Sequence, residues 1–502
     1  MAYEYRVDGE TICLELDPTA VAVRFQDDIP KSARARATEA VAGMQPFSKR
    51  FEVPGEKLTI VPVKAPVVGG IGPSAAIGGL DSQPEVDKAM PVFRVGKQQA
   101  VPSDRLILGI KDRNRTQELL AKYDLTLLRE DDRRVLARIK PDGDIFALCD
   151  KLDAEESVDF AEPDFITIGR HMPARFTGPT PTAVDPLLPG QYAMRITGAI
   201  DAQTIQPGRP AIRIAILDEG VDTSHPDLRA AVVASYDTVD QDTYQEPNPW
   251  DSHGTSCAGL AAAVPGNGIG IRGAGAGCSI VSVRIAYSTG IDKPWVTTFD
   301  QIAEGIKWAW KDAKADILSN SWGGNLPSSA IADELEQART LGRDGFGCVV
   351  VIAAGNDFRG VNFPGNLPNV LTVSASNEFD EIKTPSSHDG EAGWGTCHGP
   401  EVSVAAPGVH NLTTDISGAN GDVVGDYKSN FNGTSSATPI VAGICGLLLS
   451  AKSSLRETEV RRIICETADK IGQYPYVAGR NDFAGFGRIN ALAALNRVRS
   501  GQ

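Results

Sequence analysis

The sequence predicts an α/β protein whose parallel sheet is covered by helices on both faces, preceded by smaller α+β regions. Two observations carry this expectation. Short apolar runs at Ile212–Leu217, Ser279–Ile285, Ile317–Ser321, Cys348–Ala353 and Val370–Val373 alternate with helical stretches such as Phe299–Asp312 and Ala330–Arg343. Strands that are apolar throughout, rather than every second residue, are those buried on both faces. Upstream, residues 105–166 follow a β-α-β-β-α-β order, the split-βαβ or ferredoxin-like arrangement.

Taken in order, residues 1–66 show a strand hairpin (Thr11–Phe25), a helix (Ser32–Met44) and a strand (Leu58–Val63), a small region of unassigned role. Residues 67–104 are expected to be a linker, because 67–88 are rich in Gly, Pro, Ala and Ser. In 105–170, Leu106–Lys111 reads as a strand and Thr116–Tyr123 as a helix. Leu125–Lys140 reads as a hairpin turning at Glu130-Asp131-Asp132, Ile145–Leu152 as a helix and Val158–Ile166 as the last strand. Residues 171–184, with Pro173, Pro179 and Pro181, form a second expected linker, a natural site for cutting. Residues 185–502 then form the large domain.

Composition narrows the function classes. The chain has 502 residues, 42% hydrophobic and 23% charged, as in ordinary globular proteins. A net charge of −15 argues against nucleic acid or an anionic membrane as partner. No apolar run of about 18 residues is recognised, so no spanning helix is expected. The start, Met-Ala-Tyr-Glu-Tyr-Arg, lacks a basic n-region and an apolar h-region, so a cytoplasmic protein, or one exported by an unrecognised route, is expected. The eight cysteines are scattered without metal-ligand spacing and read as free, mostly buried thiols.

Three segments carry chemistry. Ile212 to Leu217 is an apolar strand that ends on the carboxylate of Asp218. His253-Gly-Thr-Ser-Cys-Ala-Gly opens a small-residue helix on an imidazole. Asn432-Gly-Thr-Ser435-Ser-Ala-Thr-Pro puts a hydroxyl on a turn that opens into the apolar helix Ile440–Leu449. A serine hydroxyl is a poor nucleophile until an imidazole takes its proton, and a carboxylate fixes that imidazole's tautomer. Asp, His and Ser in this chain order are one of the known orders of the nucleophilic triad. At a helix start the Ser435 N–H is also unpaired by the helix and favours nearby negative charge.

With these segments the chain resembles the subtilisin-type serine proteases, the subtilases, over roughly residues 185–498. The resemblance implies that Asp218, His253 and Ser435 are the triad. It makes Asn356, in Ala353-Ala-Gly-Asn356, the donor to the oxyanion. It also implies that Ser321, Trp322 and Gly323, in Ser319-Asn-Ser-Trp-Gly-Gly, pair with an extended protein or peptide substrate. Residues 105–170 resemble the family's inhibitory prodomain, down to Ala161-Glu-Pro-Asp-Phe165, whose tail would enter the active site. One departure is Glu219, where the family usually has Ser, Thr or Asp; its side chain is expected to point away from the imidazole. Cys257, one turn after His253, falls where some subtilases also carry cysteine, and implies sensitivity to mercurials.

A glycine-broken loop that turns carbonyls inward suits an oxygen-seeking cation. The resemblance implies a Ca2+ ion held by Asp227 and Asn267 side chains, the Ile269 and Ile271 carbonyls, and Asp185. For specificity, Asp251 falls where the kexin-like branch places an acid facing the second substrate residue, whereas Pro364 stands where that branch has a pocket-floor acid. The expectation is a broad endopeptidase taking apolar or long side chains before the cut and tolerating a basic residue at the preceding position. A peptide ligase on the same fold and a non-catalytic peptide-binding scaffold are the alternatives. The first would show insertions that exclude water, and the second a lost Ser or His; neither sign is present.

Overall fold

The computed structural model describes residues 3–7, 9–64, 73–140, 143–171, 185–324 and 326–501. The chain divides into two compact units. One is Met1–Arg170 with Thr289–Asp300 and Asn325–Ala330; the other is His171–Ser288 with Gln301–Gly324 and Ile331–Gln502.

The first unit is built on one antiparallel sheet. The strands Thr126–Glu130, Arg134–Arg138, Gln98–Ile110 and Val158–Gly169 lie side by side in that order, with helices Thr116–Lys122 and Ile145–Asp153 between them in sequence. This is the ferredoxin-like order expected for 105–170. Its core is Leu106, Leu108, Leu119, Val135, Leu152 and their neighbours. The linker expected at 67–104 is corrected by the structure. Pro73–Asp81 is a helix, and Val86–Val95 pairs with Gln98–Ile110 and with Leu16–Phe25, so the sheet runs unbroken into the N-terminal region. Ala76 and Leu80, one turn apart, bury a helical stripe that outweighs Gly78 and Gly79. Residues 1–66 and 105–170 therefore belong to one unit. The expected hairpin at Thr11–Phe25 is likewise rearranged: Glu10–Leu14 pairs with Tyr3–Val7 instead.

Two later segments fold with this unit. Trp295–Thr298 pairs antiparallel with Ile166–Gly169. Glu162 is fully buried and accepts the Ser328 hydroxyl (2.7 Å) and the N–H groups of Ser329 (2.9 Å) and Ala330 (3.1 Å). A carboxylate on first-turn amides satisfies donors that a helix cannot pair internally.

The second unit holds a parallel sheet in the order Val232–Asp237, Ser279–Arg284, Arg213–Asp218, Ile317–Asn320, Val349–Ala353, Leu371–Ser376, Val402–Pro407. The five expected strands are present. The two edge strands escaped the sequence reading: Val232–Asp237 is largely unburied, and Val402–Pro407 is interrupted by Ser403 and ends on proline. The helix Thr434–Ala451 corrects another expectation: it is 18 residues long and apolar enough to cross a membrane, but 89% of it is buried inside the protein. It is a core helix, packed with Ile214, Ile216, Val349 and Val351 of the sheet.

Candidate active site

Asp218 stands at the carboxyl end of its strand, where open α/β sheets place functional groups. His253 opens the helix His253–Ala262, and its Nδ1 lies 2.8 Å and 3.0 Å from the two Asp218 carboxylate oxygens. Gly254 permits this approach: a Cβ there would sit 2.1 Å from the Gly220 carbonyl oxygen and 3.1 Å from the Asp218 Cβ. Burial pushes the Asp218 carboxyl up, but the adjacent imidazole more than offsets this and leaves it below the ordinary carboxylate range.

Ser435 is the second residue of the helix Thr434–Ala451 and is half-buried. Its hydroxyl donates to the Ser321 carbonyl (2.9 Å), while its own carbonyl accepts the Ser321 hydroxyl (3.0 Å). Cys257 ties the histidine and serine helices together. Its Sγ lies 3.9 Å from His253 Nδ1 and donates to the Ser435 carbonyl at 3.6 Å. Burial pushes this thiol well up, so it packs as a neutral group.

Asn356 follows the strand Val349–Ala353. Its Oδ1 accepts the N–H (2.8 Å) and hydroxyl (3.0 Å) of Thr434, which fixes the amide plane and leaves Nδ2 to face the turn before Ser435. Gly433 has φ +116°, and a Cβ on it would lie 3.3 Å from that Nδ2. Only glycine fits there without strain. Ser321, Trp322 and Gly323 continue the strand Ile317–Asn320, and the Gly323 Cα faces Ala353, Phe363 and Pro364.

Asp251 is buried, with Oδ2 accepting the Ser288 N–H (3.0 Å) and Asn248 Nδ2 (2.9 Å). Glu219 pairs with a second histidine and not with the His253 ring. Its Oε2 lies 2.9 Å from His171 Nε2, and the His171 ring stacks on the His253 ring, centroids 4.2 Å apart. His171 was missed because a lone histidine in a proline-rich stretch carries no spacing signal. The rest of the 171–184 linker lies outside the described residues.

Asp185, Asp227 and Asn267 contact one another or the backbone of the loop 264–272. Asp185 accepts the Gly266 N–H (2.7 Å) and forms a two-pronged ion pair with the Arg272 guanidinium (2.8 and 2.6 Å). Both guanidinium nitrogens meet the one oxygen Oδ2, which offsets the Asp185 charge. Asp227 has no cationic side chain paired with it among the described residues. Its oxygens accept Asn267 Nδ2 (2.6 Å), the Ile271 N–H (2.9 Å) and the Tyr427 hydroxyl (3.3 Å). Burial pushes the Asp227 carboxyl up, so a hard cation would relieve its buried charge. Asp227 supplies the charged oxygen that such an ion needs; Asn267 turns its Nδ2 to that carboxylate, while its Oδ1 accepts the Ile269 N–H (3.1 Å).

Residues 209–487 match the model of the subtilase family. A calcium-dependent protease from Trichormus variabilis is 30% identical, over 97% of this chain and 78% of that protein. Thermitase from Thermoactinomyces vulgaris is 35% identical over 61% of this chain and 95% of its own. Among solved structures, fervidolysin from Fervidobacterium pennivorans, at 22% identity, has a TM-score of 0.60 over 78% of this chain and 61% of that one, which bears on the fold alone. The strand that ends on Asp218, the helix that His253 opens and the turn before Ser435 all fall inside the matched residues, and the chain belongs to the subtilase family as a subtilisin-type serine endopeptidase.

Proposed function

We propose that the chain hydrolyses peptide bonds through Ser435, His253 and Asp218, and that it cuts itself near residues 160–186. The observation that carries the reading is the bidentate approach of Asp218 to His253 Nδ1, which fixes the proton on Nδ1 and leaves Nε2 as base. An incoming peptide pairs with Ser321–Gly323, and its N–H competes for the Ser321 carbonyl that holds the Ser435 hydroxyl. The freed hydroxyl turns to His253, which takes its proton as Oγ bonds to the carbonyl carbon. The oxyanion is met by Asn356 Nδ2 and the Ser435 N–H. His253 then returns the proton to the departing amine. Water, activated by the same imidazole, releases the acyl group and restores Ser435.

Fluorophosphonate labelling tests the nucleophile: the full chain should take up the probe at Ser435, and absence of labelling in folded protein would sink the reading. Asn356→Ala should reduce kcat by about 10²–10³-fold with little change in KM, because the amide acts on charge that exists only in the transition state. A loss confined to KM would instead assign Asn356 to substrate binding.

A calcium ion held by Asp227, Asn267 and the Ile269 and Ile271 carbonyls would stabilise the fold by binding the native state alone. At a hundredfold excess over its Kd that amounts to about 2.7 kcal/mol. Chelator should lower the Tm and added calcium restore it, with Asp227→Asn abolishing the response. An unchanged melting curve in chelator would remove the ion from the account.

A further inference from the structure

The strand Tyr427–Phe431 runs toward the turn before Ser435 and pairs with Asn411–Thr414. Side chains three residues apart on a regular strand point to opposite faces. Here the register slips between Asn411 and Thr413, and Asn430 takes a left-handed φ of +68°. A bulge of this kind re-aims a side chain. Lys428 and Phe431 consequently meet, with the Lys428 Nζ 5.1 Å from the Phe431 ring centroid. The Phe431 ring in turn meets the His253 ring in a T-shaped contact, centroids 5.4 Å apart.

Lys428 is 1% exposed, which is costly for an ammonium unless its donors are used. Its Nζ donates to the Ser252 hydroxyl oxygen at 2.8 Å and to Asp422 Oδ2 at 2.5 Å, and Asp415 Oδ1 lies 3.9 Å away. Burial raises the Asp422 carboxyl, but Lys428 and the Ser252 hydroxyl outweigh it and hold it below the ordinary carboxylate range. Ser252 precedes His253 and occupies the cap position of the helix that His253 opens. A cap serine ordinarily accepts a first-turn amide. This one makes no such bond and takes the ammonium instead. One buried side chain thus reaches both the backbone entry to His253 and a ring packed on its imidazole.

Several groups set the charge of that imidazole. Asp218 holds Nδ1, and His171, paired with Glu219, stacks on the ring. Cys257 lies one turn on along the same helix, and Asp251 two residues before it. Lys428 adds a positive charge that opposes imidazolium formation, and Asp422 offsets it. We propose that Lys428 is a positioning residue for the base: its ammonium pins Ser252 and Phe431 around the imidazole, and its charge, balanced by Asp422, opposes a second proton on that ring before substrate binds. This rests on the serine-protease reading and deepens it.

The test is the pH dependence of kcat and KM for one fluorogenic peptide with an apolar residue before the cut, on the full chain. Fluorophosphonate labelling of Ser435 is the second readout. Lys428→Met removes the ammonium and keeps the bulk of the stem. It should lower kcat by at least about tenfold at a nearly unchanged KM, and move the acid limb of the kcat/KM profile up by about half a pH unit or more. Asp422→Asn, at a side chain 36% exposed, leaves the Lys428 charge less balanced and should move the same limb down. That measurement decides the matter even where Lys428→Met fails to fold. Ser252→Ala cuts the link without changing any charge, so kcat should fall while the limb stays. A lysine that served only the fold would lower Tm and leave the limb in place. Wild-type kcat in folded Lys428→Met, or an acid limb that Asp422→Asn leaves unmoved or raises, overturns the proposal and leaves the protease standing. A wild type that neither cuts the peptide nor labels at Ser435 overturns both.

Discussion

Ser435→Ala should lose turnover by roughly 10⁶-fold while still binding peptide, the size of effect seen when the nucleophile of a unit that acts as one is removed. The loss should lie wholly in kcat, since on the proposed reading substrate is held by the backbone of Ser321–Gly323, which the change leaves in place. Ser435 and Ser321 exchange hydrogen bonds, so the variant also frees the Ser321 carbonyl for the substrate N–H, and affinity should be equal or better. The same variant tests self-cleavage. Wild-type protein should be clipped over time between about residues 160 and 186, and Ser435→Ala should remain whole. Mass spectrometry of both proteins after matched incubation checks this. Turnover within tenfold of wild type would end the assignment, and equal clipping of the two would assign the cut to another protease.

Asp218→Asn should reduce kcat by about 10⁴-fold near neutral pH with the fold intact. An amide in place of the carboxylate presents an N–H to Nδ1, which moves the ring proton to Nε2 and leaves the base unable to accept from Ser435. It also removes the charge that steadies the imidazolium. The carboxylate contributes to stability as well. Its native pKa lies below its unfolded value, so this contribution is present above the ordinary carboxylate pKa and lost as pH falls through the depressed one. Acid melting curves should therefore show wild type losing stability toward low pH more steeply than the variant. A variant that keeps kcat within a few fold would show that His253 needs no such partner.

Much of this was legible along the chain because it is local. The strand into Asp218 is apolar at every position, as a doubly covered strand must be, and the turn before Ser435 needs glycine whatever surrounds it. The alternation of 105–166 likewise specified its own fold. What sequence could not supply was pairing between distant segments. Whether Val86–Val95 is a linker or a strand depends on Leu16–Phe25 and Gln98–Ile110 offering it backbone partners, which its glycine-rich approach hides. That Asp185 pairs with a guanidinium depends on Arg272 being long enough to reach it.

Glu219 is the clearest division. The sequence determined that a carboxylate follows Asp218, and with it the family and the order of Asp218, His253 and Ser435 along the chain. Only the tertiary structure decided where that carboxylate points. A side chain's direction follows from its rotamer and from the charges brought within reach of it, and here those are Asp251, 32 residues on in the sequence, and His171, 48 residues back. Triad chemistry is a property of residue types in a fixed order. The electrostatics around Glu219 and Asp251 arise from burial and separation in space, which sequence order does not contain.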